Sequence, residues 1–342
     1  MCFSCRKTAV LFMISLLVVA LSSNVHAQQS VERIMKQDST LNNLVDPPGY
    51  ETGTPGTFGD VLRHGSGLRP MILIPGFGFS GGIFADLMES FSDNFQMYAV
   101  TLAGFGGTPA PPGPGESASF GEQTWTNGAV RALEVLIEKE GIRNAIIVGH
   151  WLGGTQIALR YALKHPDKVK AVIILSGAAK FVALDSARAA MINTLEKRVR
   201  INDAYMGPRW FKTVTRETWD DNNFIPGDYA VDPVLGLRLW REAATPKLHV
   251  WVRYLCEFNS QDISLDLDNL EVPTLMLQPG LEGIYHDPSN FYMDGYLNRS
   301  WEGSIENKDR ITVKIIPNAR VCLWVDQPTA VKDTILEFLG GG

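Results

Sequence analysis

Short runs of apolar residues recur along the chain, separated by stretches whose apolar positions fall three and four apart. The runs lie at 71–74, 97–102, 145–148 and 171–175, and later at 274–277 and 311–316. Runs that are apolar throughout, rather than alternating, suit strands buried on both faces. Between them, 84–91 and 125–140 read as helices. In the second of these, Val130, Leu133, Leu136 and Ile137 share one face. Further helices are expected over 152–163 and from about 329 to 339. Strands alternating with helices predict an α/β fold, a mainly parallel central sheet with helices on both faces.

The rhythm breaks between 180 and about 258. No buried strand is evident there, amphipathic helical stretches dominate, and Trp210, Trp219, Trp240 and Trp251 fall in this interval. An insertion of this size between two core strands predicts a helical cap over the C-terminal edge of the sheet, where open α/β sheets bind ligands. Those tryptophans either line a site or form the cap's own core.

The beginning of the chain has a different character. Arg6 and Lys7 precede an apolar stretch from Ala9 to Leu21, and Val25-His26-Ala27 offers small residues for cleavage. Residues 1–27 therefore read as a secretory signal peptide, which implies a secreted or periplasmic protein with no stable membrane anchor after cleavage. Residues 28–56 form a polar N-terminal arm, and 57–342 the α/β domain with its cap. The net charge of −6 gives no electrostatic case for binding nucleic acid or an anionic membrane. Cys256 and Cys322 remain after cleavage, and the sequence leaves their pairing open. No spacing points to a metal or a cofactor. Gly76, Gly78 and Gly81 spell a dinucleotide fingerprint, but the next strand ends Leu102-Ala103-Gly104, without the acid that binds ribose.

Chemistry concentrates at Gly149-His150-Trp151-Leu152-Gly153-Gly154, which follows one apolar run and opens a helix. Small residues around a central position at a strand-to-helix turn make a nucleophile elbow. With Ile74-Pro75-Gly76-Phe77-Gly78, with Thr101-Leu102-Ala103-Gly104-Phe105-Gly106, and with 318–328 near the end, the chain from about residue 57 resembles the α/β-hydrolase fold superfamily, in its capped, esterase- and lipase-like branch. The resemblance implies an oxyanion hole made by the backbone N–H groups of Phe77 and Leu152. It also implies a nucleophile at 151, a histidine at 321 and an acid a few residues past strand 274–277, where Glu282 matches best. Two of these positions are replaced. Trp151 has no nucleophilic atom, and Val321, next to Arg320, can neither take nor give a proton. Glu282 is then left without a histidine to orient.

Substitutes are few. A Cys322–His286 pair is conceivable, and Asp287 lies beside it, but a structural Cys322 is the better reading. His150 is a support in many active relatives of the resembled family, His165 reads as surface, and Asn298-Arg299-Ser300 fits a glycosylation triplet. The expected protein is an exported, non-catalytic homologue that binds a small apolar ligand in a pocket under the cap, or a partner. The alternative is a hydrolase of ester-type bonds with non-standard catalytic residues.

Overall fold

The computed structural model describes residues 56–112, 119–182, 192–213, 225–281, 297–306 and 308–340. Among the described residues, seven strands form one sheet: β1 (Phe58–His64), β2 (Arg69–Ile74), β3 (Phe95–Leu102), β4 (Ala145–His150), β5 (Val169–Leu175), β6 (Thr274–Pro279) and β7 (Ile311–Ile316). Their order is β1-β3-β2-β4-β5-β6-β7. β1 runs antiparallel to β3, and every other pair is parallel. Every residue of β4, β6 and the last four of β2 is buried, as their unbroken apolar runs require.

The helices follow the expected alternation. They are α1 (Ala85–Ser90), α2 (Thr124–Lys139), α3 (Trp151–Lys164), α4 (Leu195–Ile201), α5 (Gly207–Thr213), α6 (Pro226–Tyr229), α7 (Pro233–Ala244), α8 (Leu248–Asn259), α9 (Leu323–Asp326) and α10 (Pro328–Phe338). α3 is buried on all sides from Trp151 to Leu163, because it fills the layer directly behind the central strands. α4 to α8 lie in the interval between β5 and β6, which holds no strand among the described residues.

Two elements depart from the sequence pattern. β7 was expected to be buried on both faces, yet Thr312, Val313, Lys314 and Ile315 are exposed. It is the last strand of the sheet, so only one flank is paired, and its polar positions at 312 and 314 suit that place. β1 occupies the opposite edge and has no apolar run to announce it.

The cap is tied into the core by buried charge. Glu257, at the end of α8, is fully buried. One carboxylate oxygen accepts the Trp125 N–H at 2.9 Å, and the other accepts the N–H and hydroxyl of Thr126, each at 2.8 Å. These are orphan donors at the start of α2, whose own N-cap, Gln123, makes no side-chain cap bond. Arg253 pairs with Glu257 at 3.3 Å and also donates to the carbonyls of Ser119 and Glu122.

Candidate active site

β4 delivers the chain to the sheet's edge at His150, and the next residue turns it sharply. Trp151 adopts φ +46°, the left-handed region that a non-glycine residue enters at a cost. The turn brings α3 hard against the end of β2. A Cβ on Gly154 would lie 2.3 Å from the Ile74 carbonyl oxygen, so only glycine fits there. The elbow therefore has the backbone turn that the sequence predicted, with an indole at its centre.

That indole is fully buried. Tyr229 of α6 meets it edge-on, with ring centroids 5.6 Å apart and planes at 90°. Tyr229 also packs edge-on against Phe79, at 5.6 Å. On the other side, Phe77, Phe105, Trp251 and Tyr254 form one aromatic cluster. Phe77 and Tyr254 are 4.9 Å apart, and Phe105 stacks on Tyr254 at 5.0 Å. Trp251 reaches Phe77 from α8, edge-on at 6.3 Å, and its N–H donates to the Ala243 carbonyl. All of these rings are almost without solvent exposure. An aromatic floor was expected, and side chains from the cap fill the space directly above it.

The positions read as the oxyanion hole do not present two free donors. Leu152 has ψ 130° and Gly153 has φ +90°, so the peptide between them is turned away from its helical orientation. Its carbonyl, that of Leu152, accepts the Phe77 N–H at 2.9 Å. The Gly153 N–H donates instead to Oε1 of Gln156 at 2.7 Å. The Phe77 ring covers the turned peptide: a Cβ on Gly153 would lie 2.1 Å from Cε1 of that ring. One expected donor is thus engaged by a backbone acceptor from the elbow itself. Sequence motifs do not report this, because the orientation of one peptide unit is a tertiary outcome.

His150 is a structural tie. Its Nδ1 accepts the Gly76 N–H at 3.2 Å, and its Nε2 lies 3.2 Å from the Val321 carbonyl oxygen. This pairing assigns the proton to Nε2 of a neutral ring. Burial pushes its pKa down to about 3, with the Val321 hydrogen bond opposing the shift only in part. The ring packs edge-on against Trp324, 4.8 Å away.

Val321 is itself buried, in the loop between β7 and α9. Its N–H donates to the Asp228 carbonyl at 3.1 Å, and the Cys322 N–H donates to that of Tyr229 at 3.0 Å. The cap segment around α6 is thereby stitched to the histidine-position loop. Asp326 adds two bonds, accepting the N–H groups of Val231 and Arg320. Asp228, 4% exposed, accepts the Ile225 N–H at 2.9 Å. Burial raises its pKa to about 6, against the lowering effects of that hydrogen bond and of Arg320. Neither Asp228 nor Tyr229 had a sequence signal, since α6 is only one turn long.

Cys256 and Cys322 are buried free thiols, not a disulfide. Burial holds the Cys322 thiol well above its ordinary pKa and pushes Cys256 up to about 12, so neither is a ready thiolate. Glu282, His286 and Asp287 lie outside the described residues. Leu281, which directly precedes Glu282, is buried at φ +57° with its N–H on the Ala319 carbonyl. No group of three metal-ligating side chains occurs among the described residues.

Comparison with known proteins agrees with this architecture. Residues 69–217 match a family profile described as alpha/beta hydrolase fold. Carboxylesterase YbfK of Bacillus subtilis is 23% identical over 273 residues, covering 80% of each chain. The bovine (lyso)-N-acylphosphatidylethanolamine lipase is 31% identical over 106 residues, 31% of this chain and 29% of the lipase. The match thus spans less than a third of that relative's length. Among solved structures, a thermophilic esterase from Thermogutta terrifontis superposes with a TM-score of 0.57 at 19% identity, over 82% of this chain and 92% of the esterase. A hydrolase from Oleispira antarctica gives 0.58 at 14% identity, over 86% and 100%. At these identities the likeness is one of fold.

Proposed function

The chain belongs to the α/β-hydrolase fold superfamily, and we propose that it is a non-catalytic member that acts by binding. The observation that carries this reading is the closed elbow. A fully buried tryptophan stands where the nucleophile would, and the Phe77 N–H is held by the Leu152 carbonyl. Val321, in the place of the base, offers no proton acceptor on its side chain. Acyl transfer needs an activated nucleophile and donors aimed at the developing oxyanion. Relatives named as carboxylesterases and lipases point to apolar, acyl-bearing compounds as the class that the cap region would hold. Such a ligand reaches the Trp151 floor only if α6 and Tyr229 move aside. The leader at 1–27 would place this activity outside the cytoplasm.

The competing reading, ester hydrolysis by Glu282 with water or by Cys322, is weakened by the burial and raised pKa of that thiol. The deciding experiment combines turnover of nitrophenyl esters of several chain lengths with labelling by a fluorophosphonate probe. The wild-type protein is expected to do neither. Turnover above background that disappears on Glu282→Ala or Cys322→Ala would replace this proposal with the competing one.

A further inference from the structure

α6 is one turn long, and it is docked over the elbow mainly through its backbone. The Asp228 and Tyr229 carbonyls accept the N–H groups of Val321 and Cys322, at 3.1 and 3.0 Å. Just beyond the helix, the Val231 N–H donates to Asp326 at 2.8 Å. α7 backs the turn closely, since a Cβ on Gly236 would lie 2.5 Å from the Pro226 carbonyl oxygen. Held in this way, Tyr229 lays its ring edge-on against the Trp151 indole.

A poorly satisfied acid sits among these contacts. Oδ2 of Asp228 accepts the Ile225 N–H, but Oδ1 is buried with no hydrogen-bond partner among the described residues. No ion pair reaches Asp228 among those residues either. A neutral carboxyl suits such a place better than a carboxylate, because an ion buried with an oxygen unmet loses far more hydration.

The charges around Asp228 do little to offset that loss. The 318–322 loop brings Arg320, whose charge favours the ionised acid, and the Cys322 thiol, which burial keeps neutral. α9 brings Asp326, already engaged by the N–H groups of Val231 and Arg320. α7 brings Asp232, which caps it, and Glu242, which binds Ser80. Arg238 and Arg241 of that helix are exposed, and its buried side is Gly236, Leu239 and Ala243. Towards the elbow stand Phe79, Trp151 and the neutral His150. The Tyr229 phenol stays neutral as well.

We propose that α6 is a proton-controlled cover: with Asp228 neutral it lies docked on the Trp151 floor, and loss of that proton to water releases residues 226–230 and opens the floor to an apolar ligand. Burial places the docked pKa at about 6, against 3.8 for the free carboxyl. The docked form thus binds the proton more tightly than the released form, so release grows as pH rises from about 4 to 6. Relative to the neutral acid, those two values favour release about a hundredfold more at pH 8. The ligand part of the inference rests on the reading of the elbow as a binding floor, whereas the movement does not.

The movement is tested without ligand, by hydrogen exchange at the Val321 and Cys322 amides, which donate to the cover. At pH 8 both should exchange about a hundredfold faster in the wild-type chain than in Asp228→Asn, and the two proteins should converge towards pH 4. Amides of β4 should show no such difference. Arg320→Gln removes a charge that steadies the carboxylate, so it should move the wild-type rise to higher pH, and it serves also if Asp228→Asn does not fold. The cover is refuted if exchange at 321 and 322 is the same in wild type and Asp228→Asn at pH 8. It is refuted too if β4 loosens in parallel, or if Arg320→Gln leaves the pH dependence unmoved. Binding of the neutral dye N-phenyl-1-naphthylamine is then measured, and should be stronger at pH 7.5 than at pH 4.5 in the wild type alone. Exchange that responds as expected while the dye never binds would keep the cover and overturn the reading of the elbow as a ligand floor.

Discussion

Replacing Trp151 separates the two physical claims made for the elbow, that the indole fills the site and that the backbone beneath it is strained. The side chain is fully buried and braced edge-on by Tyr229, so truncation to alanine removes an aromatic payload and leaves a cavity. Losses of this kind cost roughly 3–5 kcal/mol. The φ of +46° adds a second quantity. A non-glycine residue held in the left-handed region pays on the order of 1–3 kcal/mol. Trp151→Ala does not relieve that strain, because alanine carries the same penalty. Trp151→Gly does relieve it, and loses part of the gain, about 0.5–1 kcal/mol, to glycine's greater freedom in the unfolded chain. The expected order is therefore wild type, then Trp151→Gly, then Trp151→Ala, with the two variants about 1 kcal/mol apart. Urea denaturation followed by far-ultraviolet circular dichroism measures both differences. An alanine variant within about 1 kcal/mol of wild type would mean that the indole does not fill the site. A glycine variant less stable than the alanine one would mean that the turn is not strained.

Three further outcomes follow from the same region. Asp228 has a folded-state pKa of about 6 against 3.8 for the free carboxyl, so its stabilising contribution is complete below about pH 4 and is lost as pH rises through 6. Asp228→Asn should flatten that decline and raise stability at pH 8 by at most about 3 kcal/mol, read from thermal midpoints across the pH range. Glu257→Ala, which strands the start of α2 and the Arg253 guanidinium, should cost roughly 3–5 kcal/mol in denaturant titrations, and a loss under about 1 kcal/mol would refute the capping role. Trp151→Ser and Val321→His should each remain inert towards nitrophenyl butyrate. Their combination should turn over only slowly, because a donor lost from an oxyanion site costs roughly 10²–10³-fold in rate, and Phe77 N–H stays on the Leu152 carbonyl until that peptide rotates.

Much of the fold could be read from the chain because its central strands are buried on both faces and so leave unbroken apolar runs at 71–74, 145–148 and 171–175. The edges were less legible for the same reason. β1 is largely exposed and has no run, and the apolar residues of β7 misreported its burial. At the site, glycines around Trp151 announced the turn, since a close backbone approach excludes every other residue there. What escaped was anything set by long-range contact: the Tyr229 ring over the indole, the carboxyl of Asp228, and the rotation of the 152–153 peptide. The acid position, Glu282, is outside the described residues.

The bond between Glu257 and the first turn of α2 bears on how this molecule could be taken apart or recombined. The first turn of the core helix α2 is capped here by Glu257, supplied by α8 of the inserted segment, and Arg253 of α8 holds the loop that leads into α2. The insertion is therefore not a detachable module. Grafting a foreign cap between β5 and β6 would transplant helices but orphan the amides of Trp125 and Thr126, and a chimaera would need an acid at the matching turn of its donor helix. Shuffling between members of the superfamily should succeed here only when 119–126 and 253–257 travel together.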